Sequence, residues 1–407
     1  MRTEHVKKLF RRGRLAPQWF WEIMIAATLT PPLVHAIASS VGASPASAAP
    51  AFAAGPAPAA APGPTAVLAP TVVLAPAAVP TPAAAAPAAA TSTVFDRDAP
   101  LEVDLYADLK ALCRDPERKT CADLPATLAF SEGGAEQSVQ VSLRVRGRFR
   151  STTGGCDLPA LFVFFGPDTA GTPFAGEKML PLTTHCRTAA EYEQYVVKEY
   201  LAYRIYNLLT DKSLRARLAR VTYHVPTSRA KPLVRYAFFT EHFDSLAQRA
   251  GAVVFKPEQF DLAEADATEL ATLDLFEFMI GNTDWSAVFR HNIVLIRDAA
   301  GRPTAAPYDF DFSGLVDAEY ATVAPQLPIH YVTQRLFRGA CRPDTDWERV
   351  FAAFEKKRDA IYALLDEPAL ERATRANARR YLASFYDVLG SAERRDREIV
   401  GACRRPG

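Results

Sequence analysis

From residue 139 to residue 149 the chain alternates, with Val139, Val141, Leu143 and Val145 on one side and Ser142, Arg144, Arg146 and Arg148 on the other. A period of two predicts a β-strand with one buried face. Leu161-Phe162-Val163-Phe164-Phe165 is a continuous apolar run closed by Gly166-Pro167, the pattern of a short buried strand. The period then lengthens. Over Glu191–Leu209, the residues Tyr195, Val196, Leu201, Ile205 and Leu208 recur near every 3.6 positions, which predicts a helix. Strands are expected at 220–224 and 234–240. A second long helix is expected at 265–281, with Leu270, Leu273, Phe276, Met279 and Ile280 on its apolar side.

Residues 293–296 and 306–312 read as short strands split by a turn at 298–303, and the pattern beyond Trp347 is mostly helical as far as Leu389. Strands with one inserted helix, followed by helices around a hairpin, predict an α+β protein. Its small β-rich lobe would span about 95–245 and its larger α-rich lobe about 246–407.

The first 94 residues follow a different pattern. Residues 1–14 hold Arg2, Lys7, Lys8, Arg11, Arg12 and Arg14 against Glu4, and an apolar stretch runs from Ile23 to about Val41. That order is expected of a signal peptide over residues 1–48, with Ala46-Ser47-Ala48 or Ala51-Phe52-Ala53 as the exit; an uncleaved N-terminal anchor is the alternative. Residues 49–94 are almost entirely Ala and Pro with a few other small or apolar residues. Such a segment has little to bury against its ordering entropy and is expected to be a disordered linker. The body, 95–407, is expected to be exported, to the periplasm, cell envelope or exterior.

Charge narrows the partners. The whole chain is +1 and residues 1–94 carry +4 (six basic residues against Glu4 and Glu22), so the body carries −3. That balance argues against a nucleic-acid partner. All six cysteines lie in the body, and an even count behind an export signal suggests disulfides. Proximity along the chain favours Cys113–Cys121, Cys156–Cys186 and Cys341–Cys403.

Candidate chemistry gathers in Gly281-Asn282-Thr283-Asp284-Trp285, Arg290-His291-Asn292 and Tyr308-Asp309-Phe310-Asp311-Phe312-Ser313-Gly314. On a strand, Asp309 and Asp311 would point the same way and could share a dication, with Asn292 as a neutral oxygen ligand. Asp284, just past a helix end, could orient an incoming hydroxyl. Metal ligands with a carboxylate for the nucleophile are the parts that phosphoryl transfer uses. The same residue types also cap helices and close Asx turns. His291, beside Asn292, is expected to orient its loop. Arg144, Arg146, Arg148 and Arg150 form a basic strand face, either solvated or a phosphate-docking surface.

The order of these blocks resembles the spore coat protein H (CotH) kinase-like family. The resemblance runs over roughly 96–390. It rests on Val145-Arg146-Gly147, Phe174-Ala175-Gly176-Glu177-Lys178-Met179-Leu180-Pro181-Leu182, Lys198-Glu199-Tyr200-Leu201-Ala202, Phe239-Thr240-Glu241-His242 and the three blocks above. It implies an atypical protein-kinase-like two-lobed fold binding ATP and Mg²⁺ (or Mn²⁺) in its cleft. By the same resemblance, Asp284 would be the catalytic aspartate, and Asn292, Asp309 and Asp311 the metal ligands. Glu199 would pair with a phosphate-contacting lysine, Lys178 ahead of Lys198, and Glu241 would mark the adenine strand. The expected function is phosphoryl transfer to protein hydroxyls; a catalytically inactive pseudokinase or a structural envelope protein is the alternative. A membrane would be met only through an uncleaved N-terminus.

Overall fold

A computed structural model describes residues 93–114, 121–132, 134–147 and 155–405. The segments expected to be signal peptide and linker (all but residues 93 and 94), and Arg148 and Arg150 of the basic strand face, lie outside the described residues. The described residues begin at Thr93, two ahead of the expected start of the body. Val94 is fully buried, and the N–H groups of Thr93 and Val94 both donate to Pro173 O at 3.0 Å.

Seven strands form a closed barrel: β1 (Leu101–Tyr106), β2 (Leu124–Glu132), β3 (Ala135–Val145), β4 (Leu161–Phe165), β5 (Met179–Thr183), β6 (Ala216–His224) and β7 (Leu233–Thr240). Their order around the barrel is β1-β2-β3-β4-β5-β7-β6, and closure comes from β1 pairing in parallel with β6, Leu101 opposite Ala219 through Tyr106 opposite His224. Alternate residues point inward. Leu101, Val103 and Leu105 are buried, and they meet Leu128, Val141, Leu143, Val163, Leu182, Val221 and Phe239 in one apolar interior. Phe174, from the β4–β5 connection, fills the barrel with its ring 5.2 Å from Phe130, 4.8 Å from Phe165 and 5.6 Å from Phe239.

This closed barrel, with helices in the C-terminal part, replaces the two-lobed kinase-like fold that the resemblance implied. The physical reason is β1. Its hydrogen bonds to both β2 and β6 leave no free edge between them, so the N-terminal strands cannot make an open small-lobe sheet.

Among the described residues, five helices of seven residues or more join the barrel: α1 (Glu191–Leu209), α2 (Phe243–Arg249), α3 (Ala267–Ile280), α4 (Trp347–Leu364) and α5 (Arg372–Leu389). The outward residues Leu218 and Phe238 of the barrel join Tyr200, Tyr203, Phe276, Phe354 and Phe385 in a second core. A three-stranded sheet, ordered β10-β9-β8, adds β8 (Ala252–Phe255), β9 (Ile293–Asp298) and β10 (Pro303–Pro307). At the start of α3 the Asp266 carboxylate accepts from Glu269 N at 2.9 Å, which satisfies one of the donors the first turn leaves open. The helix ends at Gly281 in the left-handed conformation, φ 67°. Gly314 N donates back to Gly281 O at 3.1 Å, and a Cβ on either glycine would collide with the Tyr381 hydroxyl. Only glycine permits that close approach.

The three expected disulfides are present: Cys113–Cys121, Cys156–Cys186 and Cys341–Cys403. They suit a protein of an oxidising compartment. Among the described residues no helix is long and apolar enough to cross a membrane.

His185, next to Cys186, is 2% exposed, and burial, then the charge of Arg235, push its pKa down to about 4. A histidine held neutral in this way stabilises the fold fully above its unfolded value near 6.5. That contribution is lost as pH falls towards 4, on the order of 3 kcal/mol. Asp274 acts with the opposite sign. Burial raises it to about 6, so its contribution is present at low pH and fades as pH rises through 6. Urea midpoints at pH 7 and pH 4.5 for wild type and His185→Gln separate the two. Because Asp274 is common to both proteins, wild type should lose roughly 2 kcal/mol more than the variant on acidification.

Candidate functional site

The residues at the end of α3 and at the two ends of the β9–β10 hairpin come together. Backbone pairing does this. Tyr308 N donates to Asn292 O at 3.0 Å, Ser286 and His291 exchange a reciprocal pair at 2.9 Å, and Leu315 N donates to Ile280 O at 2.9 Å. Asn282 turns the chain by accepting from Asp284 N at 2.9 Å, and Arg338 donates to Thr283 O.

Asp284 sits at the centre of this group. His291 Nε2 donates to its Oδ1 at 2.9 Å, and Asn292 Nδ2 donates to its carbonyl at 2.8 Å and to its Oδ2 at 3.2 Å. Both carboxylate oxygens are therefore engaged, while the amide oxygen of Asn292 is left as an acceptor. The hydrogen bond to Asp284 raises the His291 pKa above its ordinary value, against burial, and Asp284 and Asp309 add charge in the same direction.

Asp309 lies beyond the strand. β10 stops at Pro307, so the expected strand through residue 312 ends early, and Asp309 takes φ 66° with its N–H donating to Tyr203 Oη at 2.9 Å. Asp309 and Asp311 thus do not share a strand face; Asp311 falls in the following turn and is 5% exposed. Arg290, at φ 54°, and Asn292, at φ 51°, are left-handed too. Non-glycine residues in that region cost of order 1 kcal/mol or more each, and such strain concentrates where a site needs it.

The remaining expected residues divide. Glu199, on α1, is 1% exposed and lies near Tyr203. Lys178 stands at the start of β5, lining a separate surface cavity of about 430 Å³ with Gly166, Thr169 and Glu177, and among the described residues no ion pair joins it to Glu199. Lys198 lines another cavity with Asp317 and Tyr381, and burial lowers its pKa to about 8. Glu241 is buried beneath Arg249, whose Nε and Nη2 donate at 3.1 and 2.8 Å, and beside Arg215, whose Nε donates at 3.3 Å. Those contacts brace the start of α2. Glu241→Gln removes the buried charge between two guanidinium groups and should lower stability by about 3 kcal/mol in a urea titration; an unchanged midpoint would rule that brace out.

Arg146 is the residue that sequence reasoning did not assign to the site. Its Nη2 donates to Thr183 Oγ1 at 2.8 Å at the end of β3. Burial raises the Tyr203 and Tyr308 hydroxyls; the charge of Asp309 raises both further, and that of Arg146 opposes it at both. The charges of Arg146 and Asp309 therefore act with opposite sign on the same two tyrosines. Arg144, two residues earlier, is instead committed to Asp123 at 2.6 Å and to the Phe164 ring at 4.4 Å. Alternation had put both arginines on one face, and only the fold separates their roles.

Among the described residues no group of three or more His, Cys, Asp or Glu is placed to hold a metal ion, so a dication here would rely on fewer protein ligands. Mg²⁺ is commonly held by one or two carboxylates or amide oxygens while substrate phosphates complete its shell. Asp309 and the amide oxygen of Asn292 are such donors. No family model matches the chain, and no curated protein matches it.

Proposed function

We propose that the Asp284–Asn292–Asp309 cluster is the site of a Mg²⁺-dependent phosphotransferase that moves the γ-phosphoryl group of ATP to protein hydroxyls outside the cytoplasm. The observation that carries this reading is the hydrogen-bonded cluster itself, in which Asn292 meets the Asp284 carboxylate by its side chain and Tyr308, next to Asp309, by its backbone. It gathers oxygen donors for a metal beside a carboxylate for the nucleophile, and phosphoryl transfer depends mainly on such positioning and charge balance.

Asp309 and Asn292 would hold the dication, which when bound screens the phosphate charge. Asp284 would accept the hydrogen bond of the incoming hydroxyl, with His291 fixing its carboxylate. Arg146 would offset charge on the phosphoryl oxygens. The hydroxyl oxygen bonds to the γ-phosphorus, the bond to the bridging oxygen breaks, and the hydroxyl proton leaves through Asp284.

A second reading has its own support. Both oxygens of Asp284 are already engaged by His291 and Asn292, as expected of a site that binds nucleotide or cation without turnover. Incubating the purified protein with ATP labelled at the γ-phosphate, Mn²⁺ or Mg²⁺, and an acceptor protein separates the two. Label in protein supports transfer, binding without label supports the second reading, and no nucleotide binding removes both.

A further inference from the structure

Beside the Asp284 loop, a cavity of about 720 Å³ lies between the start of α3, the 285–289 loop and the C-terminal segment. One part of its lining is apolar, with Phe260, Leu270, Trp285 and Phe289; Phe289 is 66% exposed. Another part is cationic, with Arg338, Arg342, Arg404 and Arg405. Three carboxylates share the lining with the four arginines, which leaves its side chains a net charge of +1. Asp274 is taken by Arg342, Asp261 caps the following turn by accepting from Ala263 N at 2.9 Å, and Asp344 is exposed. Among the described residues Arg338, Arg404 and Arg405 form no ion pair.

Guanidinium groups can only donate, so what this part of the lining asks for carries acceptor oxygens. Arg404 Nε donates to Arg338 O at 2.8 Å, which keeps the two arginines adjacent. A volume of this size falls within the range of small-molecule sites, which pair apolar walls with a few placed polar groups.

We propose that this cavity binds an anionic amphiphile, its carboxylate or phosphate head against Arg338, Arg404 and Arg405 and its apolar tail along Phe260, Leu270 and Phe289. The proposal is independent of phosphoryl transfer, since neither Asp309 nor Arg146 belongs to it. Isothermal titration of the full chain with decanoate, decyl phosphate and uncharged decan-1-ol tests it.

At least one anion should bind saturably at one site, with decanol at least tenfold weaker, and the tighter anion names the head group. Arg404→Gln should weaken that anion about tenfold, the size of one hydrogen bond to a charged group. Arg405→Ala, at the exposed edge, should weaken it severalfold without touching the core. Decanol binding as tightly as both anions overturns the proposal. So does the absence of saturable binding, or unchanged affinity in both variants.

Discussion

Asp309→Asn should reduce label transfer from ATP at least a hundredfold while leaving the urea midpoint of the protein within about 1 kcal/mol of wild type. The two halves of that expectation have different sources. The side chain keeps its size, and the backbone N–H that meets Tyr203 Oη is untouched, so the left-handed turn is retained. What disappears is one unit of negative charge, the part a dication would bind most strongly. Electrostatic groups at a transferring phosphoryl centre are commonly worth 10² or more in rate. Raising Mn²⁺ should recover part of the loss, because a weakened cation site can be refilled by mass action. Transfer unaffected by the substitution would place the chemistry elsewhere. Transfer lost together with the fold would show that Asp309 supports the loop and nothing further.

Replacing Cys341 and Cys403 together by Ser should cost about 4 kcal/mol in the oxidised protein, the loop-closure value for residues 62 apart. This bridge spans the whole α4–α5 pair. It also fixes the last described segment against the chain at residue 340, where Cys341 N donates to Arg404 O at 2.9 Å and Arg404 N to Gly339 O at 2.8 Å. The variant should therefore lose affinity for decanoate or decyl phosphate as well as stability, since Arg404 and Arg405 depend on that anchor. Chemical unfolding with and without reductant reads the first effect. A variant as stable as wild type would mean that packing alone holds the helices.

Much of the local structure was legible, and the reasons are specific. α1 runs over the expected residues because Val196, Tyr200 and Tyr203 repeat at helical spacing and are all buried. β4 coincides with its apolar run, and the disulfides follow chain proximity. β1 carries a plain alternation, with Glu102 and Tyr106 exposed between Leu101, Val103 and Leu105. Its partner β6, however, begins more than a hundred residues later, and nothing local announces a parallel pairing over that distance. β5 is masked by Pro181, which normally argues against an inner strand.

The site was legible as a cluster but not as a geometry. Asp284, Asn292 and Asp309 belong to adjoining loops, as their spacing suggested. The left-handed backbone at Asp309, which breaks the strand and parts it from Asp311, has no signature in residue type. Arg146 read as one of four similar arginines. Where its side chain lies depends on where the end of β3 lands once the barrel closes.

Closure of the barrel through β1 also has a mechanical side. β1 is the first strand of the body, hydrogen-bonded along both edges over residues 101–106. A load applied along the chain from its N-terminus pulls this strand lengthwise, across hydrogen bonds that lie roughly perpendicular to it. The bonds on both sides must then yield nearly together, in shear, instead of one after another as in an unzipping hairpin. Stretched between its ends in a force spectrometer, the protein should resist as a single high-force event at β1, and a gradual low-force extension would contradict this. Wherever the chain is held by its beginning, the strand that closes the barrel is also the one that bears the pull.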